Sequence, residues 1–125
     1  MRCDGRIYDP GVVFRMRTYE VAPGRLEAFT AFFEEHLLPV QLRHGARLVG
    51  RWATPDAARV ISLWAYTDAA QLEAVEQLVR DDPASVVARR RRAELEPLVF
   101  STQEVLLDST VPLAVTELAH LGEHA

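Results

Sequence analysis

Apolar residues recur every three or four positions between Arg25 and His44, which is the spacing of one face of an α-helix. Glutamates occupy the opposite face, and Gly45 follows where a left-handed C-terminal cap would lie. Pro39 lies inside this segment and has no N–H to donate, so we expect a long helix that ends near His44 and bends at Pro39. The apolar stripe consists of Leu26, Phe29, Phe33, Leu37 and Val40.

Alternating apolar and polar residues predict four strands, at residues 12–20, 46–54, 58–66 and 98–108. Pro55 and Asp56 separate the second and third of these segments, which indicates a hairpin. If the alternation is strict, Leu48 and Trp52 lie on the same side of the sheet.

Two further helical segments have start signals of their own. Asp68 with Gln71 forms a capping box, and Asp82 with Pro83 supplies an N-cap and a first-turn proline for a helix that runs towards Pro97. The resulting order of strand, helix, strand, strand, helix, strand is typical of an α+β ferredoxin-like βαββαβ plait. In that fold helices cover one face of an antiparallel four-stranded sheet.

The strands carry apolar residues on both sides, as Ile61 and Leu63 alternate with Val60 and Trp64. The helices can cover only one side of the sheet, so we expect a homodimer joined sheet to sheet. The domain occupies residues 12–110. It follows an N-terminal arm at 1–11 and precedes a C-terminal tail at 111–125, in which a short helix is expected.

Composition narrows the class of protein. A chain of 125 residues that is 49% hydrophobic suits one domain, and a net charge of −4 argues against nucleic acid as a partner. Cys3 is the single cysteine, which excludes an internal disulfide and favours the cytoplasm. No apolar run approaches the roughly 18 residues that cross a membrane, and the first residues lack the apolar core of a signal peptide. We therefore expect a small-molecule substrate, and neither nucleic acid nor membrane as a partner.

A combination of short motifs resembles the NIPSNAP family of the dimeric α+β barrel superfamily, over roughly residues 12–110. This resemblance implies a ferredoxin-like fold and a homodimer whose two sheets form a shared barrel. The wider superfamily includes cofactor-free monooxygenases, polyketide cyclases, lactone isomerases and haem-degrading enzymes, so no single activity is implied. A bacterial member of a biosynthetic pathway is expected. The motifs are Arg17-x-Tyr19, Pro23-Gly24, His36-Leu37-Leu38-Pro39, His44-Gly45 and Leu63-Trp64-x-Tyr66.

Four residues are candidates for catalysis. His36 and His44 project on or beside the apolar stripe, and an imidazole with a pKa of about 6.5 exchanges protons near neutral pH. Arg17 and Tyr19 share one side of the first strand, where an arginine could hold an enolate or carboxylate oxygen while Tyr19 or a histidine moves the proton. The alternatives are structural: His44 caps its helix, His36 is a satisfied core residue, and Arg17 pairs with Glu104 across the sheet.

Four aromatic residues are candidates for substrate binding, because a planar molecule could stack on them in a pocket of the plait. The alternative is that they belong to the core. They are Phe33, Trp52, Trp64 and Tyr66.

The arginine run at 89–92 turns about 100° per residue and cannot occupy one helical face. The i,i+4 pairs Arg90–Glu94 and Arg92–Glu96 favour a solvated surface. His120 and His124 have the spacing of a helical metal pair but lack a third ligand nearby, so neither a metal nor another cofactor is predicted.

These observations favour a small enzyme that performs proton-transfer chemistry, either cyclisation or isomerisation, or cofactor-independent oxygenation, on an apolar oxygenated substrate. The first alternative is a non-catalytic ligand-binding or scaffold homodimer whose histidines are structural. The second alternative is a haem-binding or haem-degrading protein.

Overall fold

The computed structural model describes residues 12–111. The expected N-terminal arm with Cys3, and the tail with His120 and His124, lie outside the described residues. The elements, in chain order, are β1 (Val13–Val21), α1 (Leu26–Phe32), a π-helical turn (Phe33–Leu37), α2 (Leu38–Arg43), β2 (Arg47–Ala53), β3 (Arg59–Tyr66), α3 (Ala69–Asp81), α4 (Pro83–Leu95) and β4 (Val99–Asp108).

The four strands form one antiparallel sheet in the order β2-β3-β1-β4. The helices lie on one side of this sheet, so the predicted ferredoxin-like plait is confirmed. The other side, called the open side here, has no helix over it in the described part of the chain. None of the helices between residues 12 and 111 is both long enough and apolar enough to cross a lipid bilayer.

The first long helical region ends as the sequence predicts. Gly45 has a φ of +106°, a conformation that an L side chain disfavours. Its N–H donates to the Leu42 carbonyl at 3.2 Å, and the Ala46 N–H donates to the Gln41 carbonyl at 3.0 Å. This pair of bonds is a Schellman motif, which turns the chain from α2 into β2.

The two predicted aspartate caps are present. The Asp68 carboxylate accepts the Gln71 N–H at 2.7 Å at the start of α3, and Asp82 accepts the Ala84 N–H at 2.9 Å at the start of α4. Each cap satisfies an N–H that the first helical turn leaves without a partner. The helices therefore begin where the local sequence places them.

The predicted distortion near Pro39 takes the form of a π-helical turn just before it. Over Phe33–Leu37 the helix widens, and the Leu38 N–H donates to the Phe33 carbonyl five residues back. Pro39 then lies in the first turn of α2, where an N–H is not needed. The helical region therefore continues through the proline, and Phe33, Glu34 and His36 lie on the widened turn.

Both sides of the sheet are apolar. Under the helices, Phe29, Phe32 and Phe33 pack against strand residues such as Val60. On the open side, a smaller cluster is formed by Val12, Phe14 and Ala65, with Val49 and Leu63 packed against it.

A β-bulge in β2 corrects one prediction. Leu48 pairs with Trp64, but Gly50 pairs with Leu63, so Val49 is an extra residue in the ladder. The inserted residue shifts the alternation, and Leu48 faces the helices while Trp52 faces the open side. The prediction that they share a side is wrong. A Cβ added at Gly50 would lie 2.4 Å from the Trp52 ring, which explains the glycine there.

Candidate functional site

A row of polar side chains crosses the sheet on the side that the helices cover. Arg51 on β2 pairs with Ser62 on β3, Ser62 pairs with Arg17 on β1, and Arg17 pairs with Glu104 on β4. Directly paired residues project to the same side of an antiparallel sheet. We call Arg51, Ser62, Arg17 and Glu104 the polar row.

Arg51 and Ser62 keep polar atoms without a partner. Arg51 Nη1 donates to Thr30 Oγ1 at 3.0 Å, but its Nε and Nη2 atoms are buried and have no hydrogen bond to any residue between 12 and 111. The Ser62 side chain is fully buried, and its hydroxyl also has no partner among these residues. Buried donors are nearly always satisfied in folded proteins, so this pair has capacity for a ligand or an ordered water.

Two aromatic rings cover the Arg51 guanidinium. Its central carbon lies 4.8 Å from the centroid of the Phe33 ring and 5.1 Å from that of Phe29. Burial lowers the pKa of Arg51, whereas the nearby Tyr19 and Glu34 act in the opposite direction. An arginine has so high an ordinary pKa that the group stays cationic at neutral pH. The rings therefore hold a desolvated cation at the end of the polar row.

A cleft of about 270 Å³ opens between the π-helical turn and β2, and Arg51 forms part of its wall. Five of the seven lining residues are apolar or glycine, Arg51 is the cation and Glu34 is the acidic residue. The lining residues are Phe33, Glu34, Leu38, Leu48, Val49, Gly50 and Arg51. The cleft therefore connects solvent with the neighbourhood of the polar row.

Arg17 belongs to this row and Tyr19 lies two residues further along β1 on the same side of the sheet, so the structure brings these two candidates together. Arg17 Nε donates to Glu104 Oε1 at 2.9 Å, which confirms the predicted cross-sheet pair. Burial acts to lower the pKa of Arg17, but Tyr19 and Glu104 outweigh it and the pKa is raised. The Tyr19 ring packs edge-on against Phe29, with centroids 5.1 Å apart.

Another arginine, the fully buried Arg15, lies beside the row. It is 1% exposed, and its Nη2 donates to the Tyr66 hydroxyl at 2.7 Å. Its other nitrogens lie 3.6 Å from Glu76 and 3.9 Å from Glu104. Burial raises the pKa of Tyr66, against the effect of the Arg15 and Arg17 charges. Tyr66 is thus bound to Arg15 within the core.

The two histidines do not line the cleft. His44 Nε2 lies 2.8 Å from Asp82 Oδ2, the carboxylate that caps α4 and that Arg43 also binds at 2.7 Å. A hydrogen bond from Arg43, one from the Ala84 N–H and one from His44 hold the pKa of Asp82 well below its usual range. His44 therefore ties the end of α2 to the start of α4.

His36 lies on the π-helical turn and is about a quarter exposed. Its ring centroid is 5.4 Å from that of Phe32, and its Nε2 is 3.8 Å from Glu35. The geometry therefore separates His36 and His44 from each other and from the pair Arg17 and Tyr19.

The aromatic candidates for substrate binding do not lie together around one pocket. Phe33 lines the cleft, and the buried Trp64 packs against it with ring centroids 6.1 Å apart. Trp52 is 53% exposed, lies on the open side and does not line the cleft.

The arginine run at residues 89–92 is exposed, as the spacing predicts, but one of its two ion pairs differs from the predicted pair. Arg92 lies 3.8 Å from Glu96, whereas Glu94 binds Arg91 at 3.1 Å. The predicted Arg90–Glu94 pair is therefore wrong. Between residues 12 and 111, no group of three or more His, Cys, Asp or Glu side chains is arranged to hold a metal ion.

Sequence reasoning missed Arg15, Arg51 and Ser62. Strict alternation puts Arg15 on the same side of β1 as Arg17 and Tyr19, so the two-residue spacing was a usable signal for it. No local pattern distinguishes Arg51 or Ser62 from surface residues, because their proximity depends on strand pairing.

Several solved structures have the same fold. An uncharacterized NIPSNAP-like domain protein from Burkholderia xenovorans matches with a TM-score of 0.69 and 22% identity, over 83% of this chain and 87% of that one. A second NIPSNAP domain protein from the same organism has a TM-score of 0.67 and 26% identity, over 82% and 96% of the two chains. A NIPSNAP family protein of unknown function from Agrobacterium tumefaciens has a TM-score of 0.71 and 15% identity, over 83% and 93%.

Comparison with curated proteins gives no match. The sequence model of the NIPSNAP family matches residues 14–108, which include all four strands except the first residue of β1, the helices between them and the whole polar row. The chain therefore belongs to the NIPSNAP family.

Proposed function

We propose that the protein binds a small, apolar molecule with an anionic oxygen in the cleft between the π-helical turn and β2, and catalyses proton transfer on it. The observation that carries this proposal is the Arg51–Ser62 pair, which has buried N–H and O–H groups without partners in the described part of the chain. Unpaired buried donors cost about 1–3 kcal/mol each, and a ligand oxygen would remove that penalty.

Charge favours an anion as the ligand. Arg51 and Arg17 contribute two cations to the polar row, whereas Glu104 contributes one carboxylate and already binds Arg17. A carboxylate or enolate oxygen matches the planar fork of a guanidinium and would balance the charge of Arg51. Ser62 can donate to the same oxygen from the neighbouring strand.

The volume of the cleft and four of the side chains that line it favour a ligand with a small apolar body. Phe33, Leu38, Leu48 and Val49 line it, so the carbon skeleton of a ligand would pack on hydrocarbon and aromatic surface. Its volume of about 270 Å³ lies just below the 300–1,000 Å³ that is typical of drug-sized ligands. A molecule with one ring or a medium-length chain suits this space.

The proposed chemistry passes through an enolate. Arg51 and Ser62 stabilise the negative charge that develops on a carbonyl oxygen when a proton leaves the adjacent carbon. Tyr19, acting as a phenolate beside the Arg17 cation, takes the proton from that carbon, and the resulting phenol gives it back. Isomerisation follows when the proton returns to a different carbon of the enolate system. Cyclisation follows when the enolate carbon attacks a second carbonyl of the same molecule.

Hydrogen–deuterium exchange tests this chemistry without knowledge of the natural substrate. A panel of small 1,3-dicarbonyl compounds is incubated with the protein in D₂O, and loss of the proton between the carbonyls is followed by NMR. We expect faster exchange with the wild type than in buffer, and at least tenfold slower exchange with Arg51→Met or Tyr19→Phe. Arg91→Met, which alters an exposed arginine, is the matched control and should exchange as the wild type does.

The same experiment separates catalysis from binding alone. A non-catalytic binding protein has support in His44, which is engaged with Asp82, and in Arg17, which is engaged with Glu104. If the compounds bind with an Arg51-dependent affinity but exchange at the buffer rate, the protein is a binding protein and the catalytic proposal fails.

We also propose a homodimer in which a second copy covers the open side. Leu63 lies on that side, and the exposed Trp52, Val105 and Leu107 surround the cluster there. Strand β4 is exposed from Phe100 to Asp108, so a partner sheet could pack against it as well. A contiguous apolar face of this kind is typical of protein interfaces. We propose the cytoplasm as the compartment because a chain with one cysteine forms no internal disulfide.

A further inference from the structure

The cleft has charges of opposite sign at different depths. Arg51 contributes buried nitrogens, which places the cation at the inner end. Glu34 lines the same cleft but is exposed to solvent, which places the carboxylate at the mouth. The remaining lining residues are apolar or glycine. The lining therefore combines one cation with buried nitrogens, one solvent-exposed carboxylate and five residues that are apolar or glycine.

We propose that Glu34 makes this cleft selective for ligands that carry a single negative charge at the inner end and a neutral or cationic outer end. The inference rests on the proposed function, because it assumes that Arg51 holds the anionic group. It adds that dianions of the same length are rejected by the carboxylate at the mouth.

The position of Glu34 on the π-helical turn supports this role. The turn places Phe33 over Arg51 and the next residue, Glu34, at the rim, so one short segment supplies both the ring that covers the cation and the carboxylate. Two like charges near a protein surface repel one another by an amount that depends on distance and salt. For a ligand carboxylate near Glu34 we expect about tenfold weaker binding at low ionic strength.

Two probes of equal chain length test the selectivity. Octanoate carries one carboxylate, and octanedioate carries a second carboxylate at the other end. Binding is measured by calorimetry and by tryptophan fluorescence, to which Trp64, packed on Phe33, contributes together with Trp52. We expect the wild type to bind octanoate about tenfold more tightly than octanedioate, and Arg51→Met to lose octanoate binding.

Glu34→Gln should bind octanedioate about as tightly as octanoate, and its affinity for octanoate should change less than about threefold. Glu35→Gln is the matched control. It removes the neighbouring exposed carboxylate, which does not line the cleft, and should keep the wild-type preference.

The results distinguish the two proposals. If octanoate binds through Arg51 but the wild type shows no preference, or if Glu34→Gln and Glu35→Gln behave alike, the role of Glu34 is overturned and the anion site stands. If neither probe binds the wild type, or Arg51→Met binds octanoate as the wild type does, the proposed binding site is overturned and the role of Glu34 with it.

Discussion

Arg51 and Ser62 are paired across strands β2 and β3 on the helix-covered side of the sheet, and neither has its hydrogen-bonding capacity filled by residues 12–111. Unpaired buried polar groups oppose folding. Arg51 also forms part of the cleft wall, so this pair is the part of the proposed site that stability measurements can test first.

Ser62→Ala should raise the free energy of unfolding by up to about 1 kcal/mol, because it removes a buried hydroxyl that has no partner. Ser85→Ala is the matched comparison, since the Ser85 hydroxyl donates to the Val79 carbonyl at 2.6 Å. The free energy of unfolding of Ser85→Ala should fall by about 1 kcal/mol. Urea denaturation measures both, and an equal loss in the two variants would show that Ser62 is satisfied in solution.

Tyr66→Phe should lower the free energy of unfolding by about 2 kcal/mol, because it leaves a buried arginine nitrogen without its acceptor. The affected bond is the one from Arg15 to the Tyr66 hydroxyl. The double variant with Arg15→Met should recover most of this loss, since an apolar side chain of similar length replaces the stranded cation. A double-mutant cycle by chemical denaturation checks the coupling, and strictly additive effects would contradict it.

Leu63→Glu should convert the proposed homodimer to a monomer, because it puts a charge into the apolar cluster on the open side. Leu78→Glu is the control, since Leu78 is 49% exposed on α3, on the side of the sheet that the helices cover. Sedimentation velocity compares the three proteins. A monomeric wild type, or a Leu63→Glu variant that remains dimeric, would contradict the dimer proposed here.

Asp82→Asn should make the free energy of unfolding less dependent on pH in the acid range. Arg43, the Ala84 N–H and His44 lower the pKa of Asp82 in the folded protein, so the carboxylate stabilises the fold above its ordinary pKa of about 4. That contribution is lost as the pH falls below about 4 towards the folded-state pKa. Asparagine is as good an N-cap as aspartate, so the variant removes the charge and keeps the cap.

We therefore expect the wild type to be more stable than Asp82→Asn at neutral pH, with a difference that shrinks below about pH 4. Thermal unfolding of both proteins at a series of pH values measures the difference. A difference that stays constant with pH would show that the charge of Asp82 contributes nothing.

The sequence predicts the elements well because the signals that define them are local. The caps at Gly45, Asp68 and Asp82 involve bonds between residues at most five positions apart. The residues that make such bonds are recognisable in the local sequence, so the predicted strand and helix boundaries agree with the structure within a few residues.

The β-bulge at Val49 shows where local reasoning fails. Alternation assumes one residue per position in the ladder, and an inserted residue is visible only when the partner strand is in place. Trp52 consequently faces the open side, whereas Leu48 lies beneath the helices.

By itself, the sequence determined the order of the elements, their boundaries, the family resemblance and the closeness of Arg17 and Tyr19, which lie on one strand two residues apart. Only the tertiary structure decided that Arg51 and Ser62 lie in one row with Arg17. It also decided that His44 binds Asp82 and does not line the cleft. The physical reason is that these contacts depend on strand register and helix packing, which the whole core determines together.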